Sequence, residues 1–106
     1  MADPEHLKIL KQGTKVFNKW RDNNKEVKPD LSRADLQGPN LNEANLRYAN
    51  LSRANLSGAD LSGAHLTKAK LIEATLIKTN FEKANLTDSR IYGISAWNLN
   101  LNDATQ

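Results

Sequence analysis

The chain has no cysteine. That excludes disulfides, thiolate metal sites and a cysteine nucleophile. It has no apolar run approaching the length of a membrane span, and the opening Met-Ala-Asp-Pro-Glu-His is not followed by the apolar core of a signal peptide. These absences lead us to expect a cytoplasmic protein with no membrane partner. Chemistry-bearing motifs are missing too. There is no Gly-rich phosphate loop, no zinc-ligand spacing and no nucleophile elbow. The two histidines, His6 and His65, are far apart in sequence. We therefore expect no enzyme, no catalytic or cofactor-binding residue, no metal site and no cofactor. At 106 residues the chain is expected to form one compact unit with a limited interior.

What is present is a period. From Leu31 every fifth residue is leucine or a substitute, through Leu36, Leu41, Leu46, Leu51, Leu56, Leu61, Leu66, Leu71, Leu76, Phe81, Leu86 and Ile91. Two places earlier an alanine usually sits, as at Ala34, Ala44, Ala49, Ala54 and Ala59. Between the two lies Asn or Asp. A period of five fits neither the helix nor the strand repeat; fixed self-similarity of this kind marks a stacked, quasi-one-dimensional fold. Residues two apart in extended backbone point to the same side. Ala and Leu thus share an interior, and Asn or Asp points away. The remaining two places, often Ser-Arg or Ser-Gly, accept turn geometry. Each unit reads as a very short strand followed by a corner.

Ala54-Asn55-Leu56-Ser57-Gly58 and Ala59-Asp60-Leu61-Ser62-Gly63 match A(D/N)LXX at every place. On these runs residues 29–93 resemble the pentapeptide-repeat family. The resemblance implies an all-β solenoid: a right-handed quadrilateral β-helix with twenty residues per coil and about four coils over residues 29–106. Two further runs, in the N-terminal segment and at Ile91–Asn100, resemble cyanobacterial members, the second a run after which a separate domain follows. A cyanobacterial source and a longer parent chain are what that resemblance implies.

Residues 1–28 read differently. They carry seven Lys or Arg against four acids, whereas residues 29–106 carry eight of each. Asp3 as N-cap, Pro4 at the first helical position and Leu7, Leu10, Phe17 and Trp20 at helical spacing predict one α-helix over residues 4–22, with Gly13 inside it. Two roles stand open. The helix covers the open end of the stack, which would otherwise expose edge backbone, or it acts as a basic amphipathic helix toward nucleic acid or a membrane surface.

A twenty-residue coil also places positions twenty apart above one another. Most outward columns are polar. One reads Ser32, Ser52, Ile72, Tyr92, and the next reads Gln37, Ser57, Ile77, Trp97. Ile72, Ile77, Tyr92 and Trp97 thus form a candidate interaction surface. Either they meet a partner or the last turns of chain fold back over them. The inward pattern also degrades here: large and small residues are exchanged at Ile94 and Ala96, and both inward places are large at Leu99 and Leu101. Arg33, Arg53, Lys70 and Arg90 fall on one side with Glu73 and Asp30, a solvated charged face without aromatics along it, so no nucleic-acid partner is expected. DNA mimicry, the topoisomerase-protecting activity of some family members, needs a long acidic rod, whereas this repeat body is neutral. The function expected is a structural scaffold for protein interaction. Its partner is an unidentified protein, a following domain, or a second copy joined through the C-terminal end.

Overall fold

Among the described residues the five-residue units turn at the same place. The computed structural model describes residues 1–97 and 100–106. Within it Ala34 N–H donates to the Leu31 carbonyl at 3.1 Å, and the same bond recurs from Ala44 to Leu41, Ala54 to Leu51 and Ala64 to Leu61. The residue just before each alanine has positive φ: Arg33 (61°), Glu43 (60°), Arg53 (61°) and Gly63 (67°). This is a β-turn with a left-handed third residue, the geometry of type II. The Asn or Asp of each unit completes the corner. Its Oδ1 accepts the N–H two residues on, as from Ser52 to Asn50 (3.0 Å), Ser57 to Asn55 (3.1 Å) and Ser62 to Asp60 (3.0 Å). At Asp30 the Ser32 hydroxyl donates as well, at 2.7 Å. Burial alone would push the Asp30 carboxyl up, but the Ser32 hydroxyl and amide outweigh it and hold the group below the ordinary carboxylate range.

Non-glycine residues pay for left-handed backbone, roughly 1–2 kcal/mol each. Lys83 (φ 60°) is one of them. Lys83→Gly is expected to be stabilising by about 0.5–1 kcal/mol, because relief of that strain exceeds the added chain entropy. Lys83→Val, β-branched, should be destabilising. Urea unfolding of both variants checks the sign, and a stabilising valine would contradict the turn assignment.

The corners stack. Parallel bridges join residues twenty apart: Asp30 to Asn50, Asp35 to Asn55, Asn40 to Asp60, Asn45 to His65, then onward to Asn85 with Thr105. Four bridges therefore recur in each twenty-residue coil. The ladder bonds are short, with Leu36 N–H to Asn55 O at 2.8 Å and Leu56 N–H to Thr75 O at 2.9 Å. At one place the bridges lengthen into strands: β1 (Thr75–Ile77) pairs in parallel with β2 (Ser95–Trp97), Ile77 opposite Trp97.

The interior is the Leu and Ala ladder. Leu31 to Leu76 are each at most 1% exposed, and Ala44 to Ala74 are equally enclosed. Each such leucine contributes roughly 1.5–3 kcal/mol of burial. Alanine opposite leucine keeps the narrow bore filled without overpacking. Where a hydroxyl replaces alanine it finds a partner. Thr79, fully buried, donates to the Leu56 carbonyl at 2.8 Å, and Ser89 to the Leu86 carbonyl at 2.7 Å.

The N-terminal segment corrects the single-helix expectation. It forms two helices, α1 (Pro4–Lys11) and α2 (Thr14–Asn23). Gly13, at φ 117°, breaks the path between them. Few L-residues adopt that backbone, and Ile9, Leu10 and Phe17, from both helices, join the repeat core. Asp3 and Pro4 act at the start of α1 as expected, with Asp3 accepting from Glu5 N–H at 2.9 Å.

The helices also supply the hydrogen bonds that a preceding coil would have given. Asp30 N–H donates to His6 Nδ1 (3.0 Å), and Asp3 N–H donates to Asp30 O (2.9 Å). Asn18 works in both directions, accepting from Asn45 N–H (2.7 Å) and donating to Glu43 O (3.0 Å). Arg21, nearly buried, donates to the carbonyls of Val27 and Arg47. Burial first, and the nearby Arg47 charge second, lower its guanidinium pKa from the ordinary value.

Candidate interaction surface

The twenty-residue register brings the sequence-nominated apolar residues together. Tyr92 O accepts the N–H of Glu73, the residue after Ile72, at 2.9 Å, so Tyr92 lies one coil beyond Ile72. Ile77 pairs with Trp97 in β1 and β2. Tyr92 is 61% exposed, Ile77 is 38% exposed and Ile72 is half-buried. The side chain of Trp97 and all of Leu99 lie outside the described residues. Isoleucine at both places where earlier coils carry Ser or Gln is thus an outward apolar feature of the third coil, continued by Tyr92 in the fourth.

Beside this surface the stack ends in an apolar hollow of about 550 Å³, open mouth included, lined by Leu71, Leu76, Phe81, Leu86, Ile91, Ile94, Leu101 and Gln106. Here the inward pattern read from sequence needs correction. Ile91 and Leu101 are 38% and 37% exposed, and Ala96 is exposed. Equivalent side chains lower in the stack are sealed because the next twenty residues lie on them. The ladder itself continues through the exchanged residues, with Asn80 bridged to Asn100 and Asn85 to Thr105.

The charged side resolves into two parts. Arg53 Nε meets Glu73 Oε2 at 2.7 Å. Both side chains are about half exposed, so the pair contributes little to stability. Lys70 and Arg90, bridged to one another, instead share a shallow groove with Lys28, Tyr48, Lys68 and Asp88. Sequence reasoning missed this cluster. The signal was the column of residues 28, 48, 68 and 88, which places an aromatic between two lysines beside the charged side. His65 is half-buried, and Arg47 lies 3.2 Å from its Nδ1. Burial, then the Arg47 charge, lower its pKa against the opposing effect of Glu43. Among the described residues no group of three His, Cys, Asp or Glu side chains is arranged to hold a metal ion, and no helix is long and apolar enough to cross a membrane.

Comparison with known families places this geometry. The model of the family described as Pentapeptide repeats matches in eight copies, over residues 30–67 and 49–88, more than half of the chain. The chain belongs to the pentapeptide-repeat family. Among solved structures, this pentapeptide-repeat chain is similar to a pentapeptide repeat protein from Nostoc Pcc 7120, with 32% identity and a TM-score of 0.69, over 71% of the chain and 62% of that protein. It is also similar to HetL from Nostoc sp. Strain PCC 7120, with 38% identity and a TM-score of 0.55, over 74% of the chain but only 35% of HetL. HetL is described as involved in heterocyst differentiation regulation. The pentapeptide-repeat chain thus spans less than two thirds of either relative. No curated protein sequence matches it.

Proposed function

We propose that this pentapeptide-repeat protein is a non-enzymatic scaffold, a right-handed quadrilateral β-helix with an N-terminal helical cap, that presents its C-terminal end to a protein partner in the cytoplasm. The observation that carries this reading is the contrast between the two ends. At the first coil, α1 and α2 cover the core and meet its edge groups. At the last, Ile91 and Leu101 are exposed around an apolar hollow, next to exposed Ile77 and Tyr92. Contiguous apolar surface of this kind marks interfaces. The occupant is a second copy, a further domain of a longer chain or another protein. Of the apolar residues of the helices, Ile9, Leu10 and Phe17 are committed to the repeat core, whereas Val16 stays exposed.

Light scattering over a concentration range tests the reading. A dimer would make the occupant a second copy, and Ile77→Lys should then shift it to monomer, because a charge would have to be desolvated in the contact. If the parent is monomeric, the same variant is assayed against partners recovered with the parent. Unchanged mass together with unchanged partner recovery would remove Ile77 and its neighbours from any interface.

A further inference from the structure

We infer that the groove between Lys28, Tyr48, Lys68, Lys70 and Arg90 is a binding site for a compact polyphosphate, two or three linked phosphate groups borne by a small molecule. The coil period builds it. Lys28, Tyr48, Lys68 and Asp88 are spaced by twenty residues, and the Asn50 N–H bond to Pro29 O shows that Lys28 joins the same register. The Lys28 ammonium lies 5.7 Å from the centre of the Tyr48 ring and that of Lys68 5.6 Å. One approaches from the coil before and the other from the coil after. A ring attracts a cation through its electron-rich faces, so Tyr48 gathers two like charges that would otherwise separate. Lys70 and Arg90 add a second pair along the adjoining bridge column.

The charge is available. None of the four cations lies within ion-pair distance of a carboxylate among the described residues, whereas Arg53 is matched by Glu73. Asp88 shares the groove and leaves it an excess of positive charge. Such a groove focuses attraction for anions. Size selects the class of anion. Coils are spaced at the ordinary strand separation, so Lys28 to Lys68 spans roughly 10 Å. That suits a short phosphate chain better than an extended strand. The patch is also bounded: in the other part of the charged side Arg53 is paired, and Asp30 heads the bridge column that ends in Lys70 and Arg90.

Isothermal titration of the full chain with inorganic tripolyphosphate at low ionic strength tests the inference. Saturable one-to-one binding is expected, weakening as salt rises. Lys68→Ala and Lys70→Ala should each weaken it about tenfold, as loss of a charge-assisted contact does. Tyr48→Ala should weaken it about threefold while Tyr48→Phe retains it, because the ring's face and not its hydroxyl positions the lysines. Asp88→Asn should tighten binding. Lys83→Ala, on another side, should leave it unchanged. Thermal melting of each variant verifies folding. No saturable binding would overturn the site, as would equal losses from Lys83→Ala. A single-stranded oligonucleotide that binds more tightly with increasing length, and better than tripolyphosphate, would replace the compact ligand by an extended one and overturn the assignment.

Discussion

Leu56→Asp is expected to leave the chain unfolded at room temperature. Leu56 is fully enclosed and sits mid-stack, with Leu36 in the coil before and Leu76 in the coil after, as the bridges from Asp35 to Asn55 and Asn55 to Thr75 require. The substitution removes roughly 1.5–3 kcal/mol of side-chain burial. It also places a carboxylate in a bore whose neighbours are Leu and Ala, where an unpaired ion costs several kcal/mol more. The sum is comparable to the roughly 5–15 kcal/mol that holds a domain folded. Thr79 already gives its hydroxyl to the Leu56 carbonyl, and the ladder N–H groups around it already bond to the next coil. Leu56→Met, close in volume, should cost less than about 1.5 kcal/mol. Circular dichroism and thermal melting decide. A cooperative melt of Leu56→Asp within a few degrees of the parent would show that the leucine column is not the interior.

Phe17→Ala should destabilise by about 3–5 kcal/mol, the range for deleting a buried aromatic. Phe17 is fully buried at the junction of α2 with the first coil, its ring centre 5.7 Å from that of Trp20. Trp20 in turn lies 5.1 Å from His6, whose Nδ1 accepts the Asp30 amide. The cap is thus one packed unit, and a cavity at Phe17 loosens several edge bonds together. Because repeat stacks are stabilised by nearest-neighbour contacts, the loss should concentrate at that end. In amide hydrogen exchange, Asp30 and Asn45 should lose protection before Asn55 and Thr75. Equal protection throughout, with a stability change under about 1 kcal/mol, would mean that the helices merely rest on the stack.

Much of this was legible because a five-residue period leaves little freedom. The inward Leu and Ala and the corners follow from residue type and spacing, the twenty-residue register is what the family resemblance implied, and the Asn and Asp places proved to serve the corners through their own Oδ1 atoms. The helical segment was legible in its cap and its buried residues, but not in its break. Gly13 inside an amphipathic pattern usually means a local penalty; that it separates two helices depends on where α1 and α2 meet the first coil. The apolar column of Ile72, Ile77 and Tyr92 could be read from register alone. The groove at Tyr48 could not be read from net charge, which is balanced over residues 29–106; its cations come from separate coils and from Lys28 before them.

The sequence by itself determined the family, the five-residue unit and the absence of catalytic motifs, because each is written in residues near one another or repeated at fixed spacing. Only the tertiary structure decided which end of the stack is sealed, which arginine is paired and which lysines converge. Those outcomes depend on side chains from different coils meeting across space, where burial, hydrogen-bond geometry and distance set the result.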